Sequence, residues 1–315
     1  MTSIVRLCSL LALVSVETDF EVRATANPDG TRSSKVTVRG IRSALPDGST
    51  GVRSSTATGD GRYVFFVHGL GRYHLPVTQL DRGWVNTSAI SVFDGISGKR
   101  INTVLLDDPA RGAANPYAVA VNDRWIVVAH AGTHELSIID RAAFFRKLLA
   151  FKGEATSDLN FMRGIRRRVK LKGNGPRKAR FRDDGKIEVS MHFSKSRAIV
   201  DPETLETVEE PPKTPSDLVT RGEMYFNDAT ICYQGWQSCA SCHLDGRDDG
   251  LTWDFPESGG GLGFTENTVD LGRFKTRSAG KKKRDDFIVH NYEAPDDVRA
   301  AVNAYIRFVS SGDKK

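Results

Sequence analysis

Three segments of this chain repeat one grammar, and that recurrence limits the fold more than any other feature. Each opens on an Asp-Gly or Asn-Asp turn, runs through a short apolar stretch and ends in His: GDGRYVFFVH at His68, NDRWIVVAH at His130 and DDGKIEVSMH at His192. A second apolar run ending in Asp follows each one, AISVFD at Asp94, LSIID at Asp140 and RAIVD at Asp201. In the first and third units another strand-like stretch comes next (GKRINTVLL and ETLETVEE), whereas the second leads into AAFFRKLLAF, whose apolar spacing is helical. Short strands with Asp-Gly turns, recurring in units, predict a radially repeated sheet. The blades of a β-propeller are the expectation, and at about 40 residues a blade the repeats supply three to four of them. A closed ring takes about four to eight. The ring is therefore small, completed by another chain or truncated, and truncation is the reading favoured here.

His68, His130 and His192 hold equivalent places in the repeats. A metal ring built from them requires the blades to bring three imidazoles together at the axis. The simpler expectation is a polar residue at each strand end that satisfies backbone groups. The insert GLGRYHLPVTQLDRGWVNT, Gly69 to Thr87, interrupts the first unit and is expected to touch a neighbouring region. Arg163 to Arg182 holds ten Lys or Arg and no acidic residue, and KKKR follows at 281–284, so much of the net charge of +6 is local. No aromatic residues are interleaved at stacking intervals, which leaves a solvated loop face as the expectation and nucleic acid outside the expected partners.

The last third is of a different kind. DPETLETVEEPPKTPSDLVTRG reads as a linker, and SDLVTRGEMYFNDA as a helix capped by Ser216 or Asp217, with Leu218, Tyr225 and Phe226 as core contacts. Near the end of the sequence, APDDVRAAVNAYIRFV places Val298, Ala301, Val302, Tyr305, Ile306 and Val309 at intervals of three and four, an amphipathic helix with Pro295 in its first turn. Between the two lies CASCH, residues 239 to 243.

Only four cysteines occur, Cys8, Cys232, Cys239 and Cys242, and three of them fall within eleven residues, which describes a site and not a disulfide framework. Two thiols separated by two residues can add across the two vinyl groups of one haem while the adjacent His reaches the iron, so C-x-x-C-H is a signal for covalent haem attachment. Half of a zinc site and a chance cluster are the alternatives. Zinc needs two further ligands; after His243 only His290 remains, and the step from Cys232 to Cys239 fits no usual knuckle. Cys232 is expected to be a small buried hydrophobe, and Trp236 and Trp253 to be packing residues beside the anchor.

The order DGRYVFFVH then SAISVFDGISGKRINTVLL resembles YVTN-type propeller repeats. The run RGEMYFNDATICYQGWQSCASCHLDGRDDGLTWDF resembles the class I cytochrome c module that follows such propellers in bacterial proteins, distantly related to the di-haem cytochrome c peroxidases. The resemblance implies a β plus α multidomain chain: an N-terminal segment over 1–56, a partial β-propeller over 57–210 and a small all-α cytochrome c-like haem domain over 211–315. It implies one haem c, with thioethers to Cys239 and Cys242 and His243 as the proximal iron ligand.

In that family a Met often fills the sixth position, from the stretch matching TENTVDLGRFKTRSAG, but no Met follows Met224 here. His290 is the candidate distal ligand, and a vacant distal position is the alternative. One-electron transfer to or from a redox partner protein is the expected function, with the propeller as docking surface. A haem peroxidase or other oxidoreductase with an open iron site is a second reading, and an interaction scaffold a third. Because haem is attached outside the cytoplasm, the periplasm is the expected compartment. The start, MTSIVRLCSLLALVSV, reads as a weak secretory signal or a buried strand. No apolar run reaches about eighteen residues, so no transmembrane helix is expected.

Overall fold

The computed structural model describes residues 16–21, 25–75, 83–253 and 295–311. Near the N-terminus, β1 (Thr18–Phe20), β2 (Thr25–Ala26), β3 (Arg32–Ser33), β4 (Lys35–Val38) and β5 (Ile41–Ala44) form a three-stranded sheet of order β1-β4-β5 and a β2-β3 pair. Three four-stranded antiparallel sheets follow, each in simple up-and-down order. The first contains β6 (Ser49–Ala57), β7 (Tyr63–Gly71), β8 (Asn86–Asp94) and β9 (Arg100–Leu105). The second contains β10 (Pro116–Val121), β11 (Trp125–His130), β12 (Glu135–Asp140) and, beyond helix α1 (Arg141–Ala150), β13 (Arg166–Lys170). The third contains β14 (Pro176–Phe181), β15 (Ile187–Met191), β16 (Arg197–Val200) and β17 (Thr207–Glu209). The opening strands of successive sheets lie beside one another, β6 by β10 and β10 by β14, so the sheets are blades of a partial β-propeller.

The near-continuous apolar runs of the repeats follow from this stacking. Successive strand residues point to opposite faces, and here both faces are covered. Val64 and Phe66 face the N-terminal sheet with Val36 and Val38. Phe65 and Val67 face the second blade with Ile126 and Val128, where Phe144 and Leu148 of α1 also pack. The second and third blades share another core, built from Val127, Leu136 and Ile138 against Ile187, Val189 and Val200. The recurrent Asp also has a local reason. Asp94 accepts the N–H groups of Ile96 and Ser97, Asp201 those of Glu203 and Thr204, and Asp140 caps α1 through Ala143 N–H at 2.6 Å. Each carboxylate closes the turn that ends its strand.

The expected strands and the helix over AAFFRKLLAF are present, but the opening strand of every blade was not foreseen. The expectation for the basic stretch also needs correction. Its residues form β13 and β14, and two of its arginines are buried between blades. The Arg168 side chain is 7% exposed and pairs with Asp108 at 2.7 Å and with Glu135, itself 4% exposed; Arg166 pairs with Asp108 as well. Arg167 stacks over the Trp125 ring and donates to the Glu203 carbonyl. Partners far away in sequence neutralise what looks, read locally, like an unbroken positive run. Arg168→Met strips Glu135 of its nearest cation and is expected to cost about 3 kcal/mol, measured as a lowered urea midpoint at unchanged denaturant slope.

The equivalent histidines do not converge. His68 donates from Nδ1 to the Gly69 carbonyl and accepts at Nε2 from Ser91, both at 2.8 Å; Ser91 is in turn bonded to Thr103 at 2.6 Å. His130 repeats the arrangement with the Ala113 carbonyl and Ser137, again at 2.8 Å. His192 lies just past β15, edge-on to Phe193. With both ring nitrogens of His68 and His130 committed, these two act as cross-strand ties within their blades.

Candidate functional site

Helix α2 (Leu218–Phe226) starts at Asp217, whose carboxylate accepts Thr220 N–H at 2.7 Å. The short α3 (Cys239–Cys242) carries the two thiols, and α4 (Asp296–Ser311) packs across α2. Val298, Ala301, Val302 and Tyr305 of α4 are buried as their spacing predicts, against Phe226 and Ala240. Leu218 corrects one expectation: at the first position of α2 it is 41% exposed and absent from the buried cluster. Gly222 sits at the crossing. A Cβ there would lie 2.0 Å from the Ala301 carbonyl oxygen and 2.8 Å from Tyr305 Cβ. Gly222→Val is therefore expected to separate the helices at a cost of about 3 kcal/mol, read as loss of helical circular dichroism at lower temperature than the strand signal.

The CASCH residues form one helical turn. Ser238 is its N-cap in a reciprocal capping box with Ser241, and His243 its C-cap, with φ −105° and ψ 68° and its N–H bonded to the Cys239 carbonyl at 2.9 Å. The His243 ring lies 6.3 Å from that of Phe226, which stacks edge-on with Tyr305 at 5.1 Å. Cys239 packs against the helical cluster, whereas Cys242 joins Tyr73, Val85, Leu251 and Trp253. Cys232, Cys239 and Cys242 are all free thiols. Burial pushes Cys239 up to about 11 and Cys232 to about 12, and raises Cys242 well above the usual thiol range, helped by the Asp249 charge. Among the described residues no set of three His, Cys, Asp or Glu is placed to hold a metal ion.

This turn is seated on the propeller. Asn86 at the start of β8 donates to Cys242 Sγ at 3.2 Å, and Asn115, between the first two blades, bonds both cap serines at 2.7 Å. Arg53 of β6 holds Asp245 through two bonds of 2.8 and 3.1 Å. His134 meets Asp228 at 3.1 Å; burial opposes ionisation of Asp228, but bonds from His134 and Thr230 outweigh it and hold the carboxyl below its usual range. Backbone bonds run from Gly112 N–H to the Gln234 carbonyl and from Ala229 N–H to that of Gly132. Gly112 permits the approach, since a Cβ there would stand 2.3 Å from Trp236 Cα. Trp253, 2% exposed, donates to Asp249 at 2.8 Å.

The insert after Gly69 does meet its neighbour: Gly71 abuts Leu251 and Trp253, and Tyr73 and Val85 pack on Cys242. Cys239, Cys242 and His243 are thus brought onto one turn. His290, the stretch TENTVDLGRFKTRSAG, the KKKR run and the first fifteen residues, Cys8 among them, lie outside the described residues. Asn86 and Asn115 were not anticipated, for their partners are 156 and about 125 positions away; the local hint was the pair of serines, Ser238 before the anchor and Ser241 within it.

Fold and site together define a partial β-propeller whose C-terminal helical segment presents two unlinked thiols and an imidazole on one turn. No protein-family model matches the chain. It is similar to hydrazine synthase subunit gamma of Kuenenia stuttgartiensis, 42% identical over 60 residues, and to subunit beta of the same enzyme, 27% identical over 94 residues. These matches cover 19% and 29% of this chain, and 17% and 24% of those subunits, so the chain spans about a quarter or less of the curated relatives it matches. The solved hydrazine synthase of K. stuttgartiensis has a similar fold, with a TM-score of 0.50 over 58% of each chain at 21% identity. Among the described residues no helix is long and apolar enough to cross a membrane.

Proposed function

We propose that the chain is a c-type cytochrome of the YVTN-propeller kind, carrying one covalently bound haem and passing single electrons to a partner protein. The observation that carries this reading is the donor set: two free thiols and one imidazole on a single capped turn, with no further protein ligand grouped with them among the described residues. That set fits thioether attachment with one protein ligand to iron, and falls short of the four donors of a structural zinc site.

Cys239 and Cys242 would hold the ring by its edge, and His243 would supply the proximal nitrogen. When bound, haem supplies a one-electron couple whose potential the axial ligands and the surrounding dielectric set. The helices α2 and α4 cover the His243 side with Phe226 and Tyr305, and Trp253 and Leu251 cover the Cys242 side, so both flanks exclude water. The propeller holds this turn rigidly, leaving its remaining surface free as a docking platform. Relatives named as subunits of an enzyme support a role within an assembly. Because the attachment chemistry takes place outside the cytoplasm, the periplasm is the proposed compartment.

The test is a pyridine haemochrome measurement on chain produced with haem-maturation machinery. One haem per chain, retained through acidified acetone, is the expected result; a colourless product overturns the assignment.

A further inference from the structure

The propeller contributes two side chains to the anchor turn itself. Asn115 donates from Nδ2 to Ser238 Oγ and accepts at Oδ1 from the Ser241 hydroxyl, both at 2.7 Å, with a longer 3.4 Å bond from Nδ2 to the Asn227 carbonyl. These two serines form the capping box of α3, in which Ser241 Oγ also accepts Ser238 N–H at 2.9 Å. One amide therefore closes a ring of bonds across the whole turn. None of these side-chain bonds goes to a blade, although Asn115 itself immediately precedes β10 with φ +55°, a conformation that Asn tolerates better than most residues. Asn86 is 6% exposed and spends its Nδ2 on the Cys242 sulfur at 3.2 Å.

Resting on the haem reading above, we propose that Asn115 and Asn86 are positioning residues for the haem anchor. Asn115 fixes the pitch of the turn, and with it the spacing of the two sulfurs and the direction of His243. Asn86 orients the Cys242 sulfur, a weak acceptor as thiol or thioether. The propeller is on this view half of the haem site, and it influences the reduction potential through hydrogen bonds that no local C-x-x-C-H motif contains.

The test compares Asn115→Gly, which keeps the left-handed backbone and removes the amide, with Asn115→Asp, whose two oxygens accept from both serine hydroxyls. In the full chain without haem, amide exchange across 239–243 is expected to quicken about tenfold in Asn115→Gly and to return toward wild type in Asn115→Asp. In the matured chain, Asn115→Gly and Asn86→Leu are expected to displace the haem midpoint potential; Asn115→Asp, which adds a negative charge beside the anchor turn, is read by exchange alone. Should Asn115→Gly fail to fold, Ser241→Ala cuts the same ring from the other side, and the same exchange window reads it. Unchanged exchange in these variants, or an unchanged potential in both Asn115→Gly and Asn86→Leu, overturns the proposal. A wild-type chain that takes up no haem overturns the function instead, and the exchange arm, which needs no haem, separates the two failures.

Discussion

Chains carrying Cys239→Ala together with Cys242→Ala are expected to surrender all of their pigment to acidified acetone, going from one covalent haem per chain to none. A thioether survives acid and organic solvent, whereas an iron–imidazole bond and apolar packing do not, so the solvent separates attachment from mere residence. Each single variant should keep one thioether and remain coloured, with an altered haemochrome band. His243→Ala should keep both thioethers and lose the axial nitrogen, so that its haem stays on the chain while its Soret band changes. The propeller should persist in all of them. Cys239 lies in the helical cluster, and Cys242 gives up one sulfur contact with Asn86 and part of a small apolar cluster, a loss of about 1–2 kcal/mol. Covalent haem in the double variant would refute the assignment of the sulfurs, and a strand signal lost together with the pigment would show that the cysteines are structural.

Acid should cost this protein several kilocalories per mole well above the range in which carboxylates titrate. Burial pushes His68 down to about 4 and His130 to about 3 from an ordinary value near 6.5, since a charged imidazolium enclosed within the blades would lose its hydration. The unfolded chain binds those protons and the folded one does not. The stability they represent is complete above about pH 6.5 and drains away as pH falls, on the order of 3 kcal/mol by about pH 4 for His68 and 5 by about pH 3 for His130. Asp107 works in the opposite sense: burial lifts it to about 6, against its bonds from Ser88 and Ala113 N–H, so acid relieves on the order of 3 kcal/mol there. The net loss remains comparable with the stability of a typical domain. Urea unfolding between pH 7.5 and 4.5 should show a steep decline, and His130→Gln, less stable at neutral pH, should flatten its slope by about 1.4 kcal/mol per pH unit. Equal slopes in variant and wild type would remove histidine from the explanation.

The propeller was legible wherever one strand carried its own signal. YVFFVH and WIVVAH are apolar on both faces because both faces are covered, IEVSMH alternates because one face is buried and the other is not, and Asp94, Asp140 and Asp201 mark turns whose hydrogen bonds are local. The opening strand of the third blade was hidden because its own residues carry little signal: PRKARF in β14 is mostly polar and half-exposed, and only its pairing with β15 makes it a strand. The basic stretch misled because charge is counted along the chain, while Asp108 and Glu135, which neutralise Arg166 and Arg168, arrive from other turns of the fold.

Sequence alone determined the repeat, the amphipathic α4 and the grouping of two thiols and an imidazole in CASCH, since each depends on residues within a few positions of one another. Where that turn sits was decided by the tertiary structure. Asn86, Gly112 and Asn115 lie more than a hundred residues upstream, and they reach the anchor only once the blades have stacked. Hydrogen bonds and close contacts act over a few ångströms of space whatever the separation along the chain, and for that reason the motif was visible in advance and its seat was not.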